Sequence, residues 1–318
     1  MSSVKKEKKN KIIVILGPTA SGKSDVAIKL AKKFDGEIIS ADSRQVYRGM
    51  DIGSGKVTRD FSGGKKQVAN GKEDNIYISE GIAHYLIDVA DPNEDFNVSH
   101  FKKLAKEAIE KILQKGKLPI ICGGTGFWIK SIVDNAEFPK VKPNKTLREK
   151  LNKKTAEELF QMLAKLDSKR AESIDPKNKV RLIRAIEIAE KLGKVPDIGD
   201  KTPDTRYQFL QIGISVPREA LNEKIKKRLD ARFDEGMARE IENLYKAGVS
   251  WVRLESFGLE YRWISKYLQG KVSLDEMKQR LYYDIIHYAK RQMTWFKKDK
   301  RILWLKDYEE IEKAVALF

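Results

Sequence analysis

The sequence predicts an α/β fold: a doubly wound, mostly parallel sheet with a small helical insertion domain. Three observations carry this. Short apolar runs alternate with helix-period segments through the first third of the chain. A glycine-rich turn, Gly17-Pro-Thr-Ala-Ser-Gly-Lys-Ser24, separates the first run from its helix. Strand signals vanish between residues 137 and 205 and then return. Alternating βα units bury a parallel sheet between layers of helices.

The elements follow in chain order. Residues 1–10 are Lys-rich and are expected to form a disordered basic tail. Their polarity and the shortness of the run that follows exclude a signal peptide or membrane span there, so a cytoplasmic protein is expected. Ile12 to Leu16 suits a buried strand, and Val26, Ala27, Leu30, Ala31 and Phe34 recur at helical spacing. Glu37 to Ala41 reads as a second strand ending at Asp42. Residues 60–80 read as an exposed loop or insertion, and Tyr85 to Val89 as a strand. Ser99 caps an amphipathic helix that Gly116 stops, and Leu118 to Cys122 is a strand closed by Gly123-Gly-Thr-Gly126. The helical insertion spans 137–205 and includes a helix from Val180 to Leu192; the core is 11–136 with 206–318. There, Phe209 to Ser215 is a strand, Pro217 opens a long helix, a capping box at Ser273 starts a helix to about Phe296, and Arg301 to Leu305 is a last strand.

The glycine-rich turn fits the phosphate-loop pattern G-x-x-x-x-G-K-[ST] at every fixed position. A strand, such a turn and a helix start aim backbone N–H groups at an anion. Lys23 is placed to reach terminal phosphates and the Ser24 hydroxyl to sit on Mg²⁺. A di- or triphosphate ligand follows. Asp42 stands where open α/β sheets bind ligands; a carboxylate there can be a general base, a magnesium ligand or a turn residue.

Charge narrows the partner. The chain of 318 residues carries 63 Lys+Arg against 46 Asp+Glu, a formal charge of +17, which favours a polyanion. Lys177, Arg181, Arg184 and Lys191 share a stripe in the insertion. Arg228 and Arg232 share a helix face. His287, Lys290, Arg291, Trp295, Lys297 and Lys298 mix basic and aromatic groups near the end, which suits a nucleic acid. The single cysteine, Cys122, excludes an internal disulfide and a Cys-rich zinc site.

Longer blocks now identify a resemblance. Beside the phosphate loop stand Ser40-Ala-Asp-Ser-Arg-Gln-Val-Tyr-Arg-Gly-Met-Asp-Ile-Gly53, Leu86-Ile-Asp-Val-Ala-Asp-Pro92, Gly123-Gly-Thr-Gly126, Arg181-Leu-Ile-Arg-Ala185, Gly258-Leu-Glu-Tyr-Arg262 and Ala289-Lys-Arg-Gln-Met-Thr-Trp-Phe296. Together they resemble the tRNA dimethylallyltransferases, also called tRNA isopentenyltransferases, from about residue 11 to 305. The resemblance implies transfer of a dimethylallyl group from dimethylallyl diphosphate to the exocyclic amine of the adenosine 3′-adjacent to the anticodon, with release of diphosphate. It implies Asp42 as base, with Thr19 and Arg228 also catalytic. Gly17, Pro18, Thr19, Ala20, Ser21, Gly22, Lys23 and Ser24 would hold the diphosphate, with Mg²⁺ on Ser24. Asp42, Ser43, Arg44, Gln45, Thr125, Arg148, Arg181, Leu182, Ile183 and Arg184 match family positions that contact the tRNA anticodon stem-loop. A monomer of bacterial type, with no membrane partner, is expected. The chain departs from the family pattern at Ser54-Gly55 and at Val180, and its 58–80 segment is longer than in many members.

Two enzymatic alternatives compete. Tyr85-Leu86-Ile87-Asp88 can pass for the magnesium-binding strand of an ATP-dependent small-molecule kinase. A transferase acting on free adenine nucleotides would share the loop but not need the basic insertion.

Overall fold

The computed structural model describes residues 9–60, 67–69, 72–74, 76–196 and 204–318. Contacts divide the chain into two units, Met1–Asn135 with Thr202–Phe318, and Ala136–Lys201.

In the first unit the apolar runs become strands. β1 is Asn10–Leu16, followed by α1 (Lys23–Lys33) and β2 (Gly36–Ser40). β3 (Gln67–Ala69) and β4 (Lys72–Asp74) pair as a separate antiparallel hairpin. β5 (Tyr77–Ser79) and β6 (Ile82–Tyr85) precede α2 (Val98–Gln114), β7 (Leu118–Gly123) and α3 (Gly126–Val133). The main sheet has seven strands in the order β5-β6-β2-β7-β1-β8-β9, where β8 is Tyr207–Ile214 and β9 is Leu303–Leu305. Every pairing is parallel except β5 with β6.

Strand periodicity divides β1 between two cores. Ile12, Val14 and Leu16 pack in a layer with Phe101, Ile109 and Trp128, while Ile13 and Ile15 pack with Ala27, Ile28 and Leu30. Covering both faces explains why β1 and the Ile120–Cys122 stretch of β7 read as continuous apolar runs rather than alternating ones.

Close backbone approach fixes the end of the sheet that carries the site. A Cβ on Gly123 would lie 2.2 Å from the Ala41 carbonyl oxygen. Gly123→Ala is therefore expected to destabilise the fold by about 1–3 kcal/mol through overpacking. A thermal melt checks this, and an unchanged midpoint would contradict it.

Several expectations are corrected. Asn10 already belongs to β1, its N–H donating to the Arg206 carbonyl at 2.9 Å, so the tail does not reach residue 10; residues 1–8 lie outside the described residues. The 60–80 segment contains β3, β4 and β5 rather than only loop, and its residues 61–66, 70–71 and 75 lie outside the described residues. The expected strand from Tyr85 stops there, because Leu86 and Asp88 take positive φ (64° and 58°). Asn97, not Ser99, caps α2: its side chain accepts from the Ser99 and His100 N–H groups. β9 begins at Leu303, two residues later than expected.

The second unit is helical: α4 (Lys145–Asn152), α5 (Ala156–Leu166), α6 (Ser168–Ser173) and α7 (Lys179–Leu192). Leu151, Leu159, Leu163, Leu182 and Ile186 form its core. The end of the expected insertion at 197–203 lies outside the described residues. The first unit continues with α8 (Arg218–Asp234), α9 (Met237–Lys246), α10 (Trp251–Ser256), α11 (Leu259–Leu268), α12 (Leu274–Phe296) and α13 (Tyr308–Leu317). Among the described residues no helix is long and apolar enough to cross a membrane.

Candidate active site

The Gly17–Ser24 turn links the C-terminal end of the interior strand β1 to the start of α1. Gly22 caps α1 at φ 85°, a conformation that favours glycine, and Ala20 is held at φ 62°. A left-handed alanine costs about 1–2 kcal/mol, strain of a kind that gathers at ligand sites. The first N–H groups of α1 have no partner within a helix and carry its positive dipole end. Not every N–H of the turn is open. That of Thr19 donates to the Gln292 Oε1 at 2.9 Å, and that of Ser21 to the Pro18 carbonyl at 3.3 Å. The Thr19 and Ser21 amides of the expected diphosphate-binding turn are thus already engaged within the protein.

Around this turn lies a slightly basic cavity of about 1190 Å³, whose lining includes Ser24, the cations Lys23, Lys56, Arg59, Lys224, Lys227, Arg228 and Arg232, and the acids Asp25, Asp51, Asp60, Glu80, Asp88 and Glu235. Burial is the main force holding the Lys23 ammonium below the ordinary lysine value. Cys122 and Asp42 oppose it, while Arg228 and Arg232 add to it. Burial, with repulsion from Arg232, likewise pushes Arg228 down to about 10. These cations are held together at an electrostatic cost that an arriving anion relieves. The Cys122 thiol, pushed up to about 12 by burial, stays protonated and inert.

A second cavity, about 380 Å³, adjoins the first at Arg232 and is lined by Thr19, Asp42, Ser43, Arg44, Phe257, Tyr261, Tyr288 and Arg291 among others. Asp42 lies two residues past the end of β2. Its Oδ1 accepts from the Arg44 N–H at 2.8 Å, an Asx turn that fixes the carboxylate; among the described residues no hydrogen bond reaches Oδ2. Burial, then the Asp42 charge, raises the Tyr288 phenol above its ordinary value, so it stays protonated. The two cavities are joined through Thr19, whose Oγ1 receives a hydrogen bond from Arg228 Nη2 at 2.5 Å. Arg232 is buried on Glu260 at 3.2 Å and passes over Gly55, where any side chain would collide with it.

The remaining expected residues are distributed as follows. Ser43 donates its N–H to the Thr125 Oγ1 at 3.1 Å, and Arg44 Nε donates to the Phe257 carbonyl at 2.7 Å. The Gln45 amide is spent between Ser40 Oγ (2.9 Å) and the Gly55 carbonyl (3.0 Å), and Gln45 does not line the cavity of Asp42. Arg148, Arg181, Leu182, Ile183 and Arg184 belong to the second unit. Leu182 and Ile183 are corrections: at 0% and 5% exposure their side chains are core and cannot meet a nucleic acid. Arg184 donates to Glu187 and to the Val141 carbonyl, while Arg148 grips Glu187 by two bonds of 2.7 Å. Lys177, Arg181 and Lys191 are exposed.

Glu187 is an internal keystone of that unit. Burial alone would raise its carboxyl; the Arg148 fork and the Asn144 N–H outweigh this and hold it below the ordinary value. A depressed carboxylate stabilises the fold above its unfolded-state pKa, and the stabilisation fades as pH falls through the folded value. Glu187→Gln is expected to unfold this unit more easily at neutral pH, with the gap to wild type closing in acid. Chemical denaturation at two pH values checks this; a gap that widens in acid would contradict it.

Asp88 does not behave as the kinase alternative requires. It sits past the end of β6, and its carboxylate pairs with Lys56, which also binds Asp51 at 2.6 Å and the Tyr47 carbonyl at 2.7 Å. Among the described residues no group of three or more His, Cys, Asp or Glu side chains could hold a metal.

Sequence reasoning missed Gln292, the aromatic wall of Phe257, Tyr261 and Tyr288, and Glu240. The Glu240 carboxylate gathers the N–H groups of Asp51, Ile52 and Gly53 at 2.6–3.1 Å. Gln292 left a signal: it occupies the apolar stripe Met277, Leu281, Ile285, Ala289, Phe296 of α12. A polar residue on a buried stripe needs partners there.

The mostly parallel seven-stranded sheet, flanked by helices and carrying a glycine-rich turn between β1 and α1, defines the class as an α/β protein. Comparison then gives the family. A family model described as "IPP transferase" matches residues 45–299. The chain is 41% identical over 321 residues to a tRNA dimethylallyltransferase of Pelotomaculum thermopropionicum, covering 97% of this chain and 96% of that one. It is 40% identical over 313 residues to a tRNA dimethylallyltransferase of Acetivibrio thermocellus, covering 96% and 95%. Among solved structures it is similar to a tRNA isopentenylpyrophosphate transferase of Bacillus halodurans, with TM-score 0.68, 33% identity and coverage of 97% and 96%. It is also similar to a eukaryotic dimethylallyltransferase acting on tRNA, with TM-score 0.73, 26% identity and coverage of 95% and 75%. The chain belongs to the IPP transferase family, that of the tRNA dimethylallyltransferases.

Proposed function

We propose that this chain transfers the dimethylallyl group of dimethylallyl diphosphate to the exocyclic amine of the adenosine 3′-adjacent to the anticodon in tRNA. The observation that carries the reading is the Thr19–Arg228 hydrogen bond, which links a lining residue of the Asp42 cavity to one of the phosphate-loop cavity, where seven Lys and Arg side chains gather. Diphosphate belongs on the cationic side, with the open N–H groups of α1, Lys23 and Arg228. Adenine and the five-carbon group belong on the other, against Phe257, Tyr261 and Tyr288. The carbon–oxygen bond to diphosphate breaks, a carbon–nitrogen bond forms, and the amine proton passes to Asp42. Thr19 and Arg228 neutralise charge growing on the bridging oxygen.

Magnesium fits this site. The Ser24 hydroxyl lines the basic cavity with Asp25 nearby, and Mg²⁺ commonly takes few protein ligands beside phosphate oxygens and water. It would supply charge neutralisation at the diphosphate. ATP is read as at most a weak competitor, since phosphate loops tolerate related anions. The enzyme is read as a cytoplasmic monomer.

Exposed Lys177, Arg181 and Lys191 are read as tRNA phosphate contacts; Arg184 is excluded from the test because it supports Glu187. Neutralising those three should weaken tRNA binding and lower the salt slope by about one per lost contact. Affinity across a salt series checks this, and an unchanged slope would make the stripe a solvated face. The reading as a whole is tested by mixing protein, tRNA and each donor. Diphosphate should be released in step with prenylated tRNA, and ADP release from ATP in step with product would overturn it.

A further inference from the structure

We propose that Gln292 is a positioning residue for the transfer: its amide sets the first turn of the phosphate loop, and through it the place of the Thr19 hydroxyl. Gln292 is 6% exposed on α12. Its Oε1 accepts from the Thr19 N–H at 2.9 Å and its Nε2 donates to the Gly124 carbonyl at 2.9 Å. One side chain thus ties two loops that follow different strands, β1 and β7.

The surrounding glycines make room for this bridge. A Cβ on Gly124 would lie 2.4 Å from Gln292 Nε2, and one on Gly126 would lie 2.3 Å from the Trp295 ring. The Gly123–Gly126 and Ala289–Phe296 blocks therefore interlock: the first is bare so that the second can lie on it. An amide is the side chain that suits the bridge, because one acceptor and one donor are needed at one buried end.

The consequence reaches the reacting atoms. With its N–H turned to Gln292, Thr19 is withdrawn from the amides that can bind an anion, and its Oγ1 is presented to Arg228 at 2.5 Å. Gln292 itself lines neither cavity, so it acts through the residues it holds, and of these Thr19 lines the cavity of Asp42.

The inference rests on the transferase reading, and the test separates the two. Inactive wild-type protein would defeat that reading; active wild type with indifferent variants would defeat only this inference. Gln292→Met removes both hydrogen bonds at similar volume and should lower kcat by about 10- to 100-fold, the scale of an ångström-sized misplacement. KM for tRNA should barely change. Gln292→Glu keeps the acceptor but sets a carboxylate against the Gly124 carbonyl. Its activity should recover as pH falls, when a protonated carboxyl can donate again, whereas Gln292→Met should show no such recovery. In a Thr19→Val background the Gln292→Met penalty should shrink, because the hydroxyl to be placed is gone. Gly124→Ala, which pushes on Nε2, should reproduce the kcat loss and covers the case that Gln292→Met folds poorly. Additive penalties with Thr19→Val, or a Gln292→Glu pH profile parallel to wild type, would overturn the proposal.

Discussion

Asp42→Ala is expected to bind tRNA with near wild-type affinity and to lose about 10² to 10⁴ in single-turnover rate, the usual worth of a general base. The adenine amine is a weak nucleophile because its lone pair is delocalised into the ring. Its proton must leave as the new bond forms. Asp42 is held ready to accept that proton, with Oδ1 fixed by the Arg44 N–H and Oδ2 without a hydrogen bond among the described residues. The loop around it is held independently by the Ser43–Thr125 bond and by Glu240 under residues 51–53, so truncation should leave the walls of the cavity in place. Rapid-quench kinetics with saturating substrates measures the effect. A variant turning over at the wild-type rate would remove Asp42 from the proton transfer.

Arg228→Ala and Lys23→Ala are each expected to lower kcat by about 10² to 10³, the cost of losing one preorganised donor to developing charge. Both groups are drawn below their ordinary pKa values, chiefly by burial, and both line the basic cavity. Arg228 also holds the Thr19 hydroxyl, so its loss should disturb both donors to the bridging oxygen. Arg228→Lys should restore little, because a lysine keeps the charge but not the planar fork that reaches Thr19. Steady-state kinetics in dimethylallyl diphosphate checks this. Unchanged kcat in Arg228→Ala would show that the long helix α8 serves packing alone.

The sequence made the core strands and the glycine-rich turn legible because their signals are local. An apolar run such as Ile12 to Leu16, followed by Gly17 to Ser24 and a helix, needs no tertiary information to be read. The positions of Lys23 at the start of α1 and of Asp42 past the end of β2 were legible for the same reason. Features decided by tertiary contact were not. The Leu86–Val89 stretch is apolar enough for a strand, yet left-handed backbone at Leu86 and Asp88 ends β6 at Tyr85. Leu182 and Ile183 sit between two arginines in a motif, but the helix turns them into the core of the second unit. Arg184 and Arg148 were expected to contact tRNA; Glu187, a buried acid on the same helix as Arg184, pairs with them both. The role of Gln292 depends on a contact with Thr19 across 273 residues, which no window of sequence can show.

The most direct test of the central claim is mass spectrometry of nucleosides from tRNA incubated with the purified protein and dimethylallyl diphosphate. The account predicts a dimethylallyl group on the exocyclic nitrogen of the adenosine 3′-adjacent to the anticodon, formed by wild type and lost in Asp42→Ala. Unmodified tRNA, or prenylation of free adenine nucleotides instead, would contradict it.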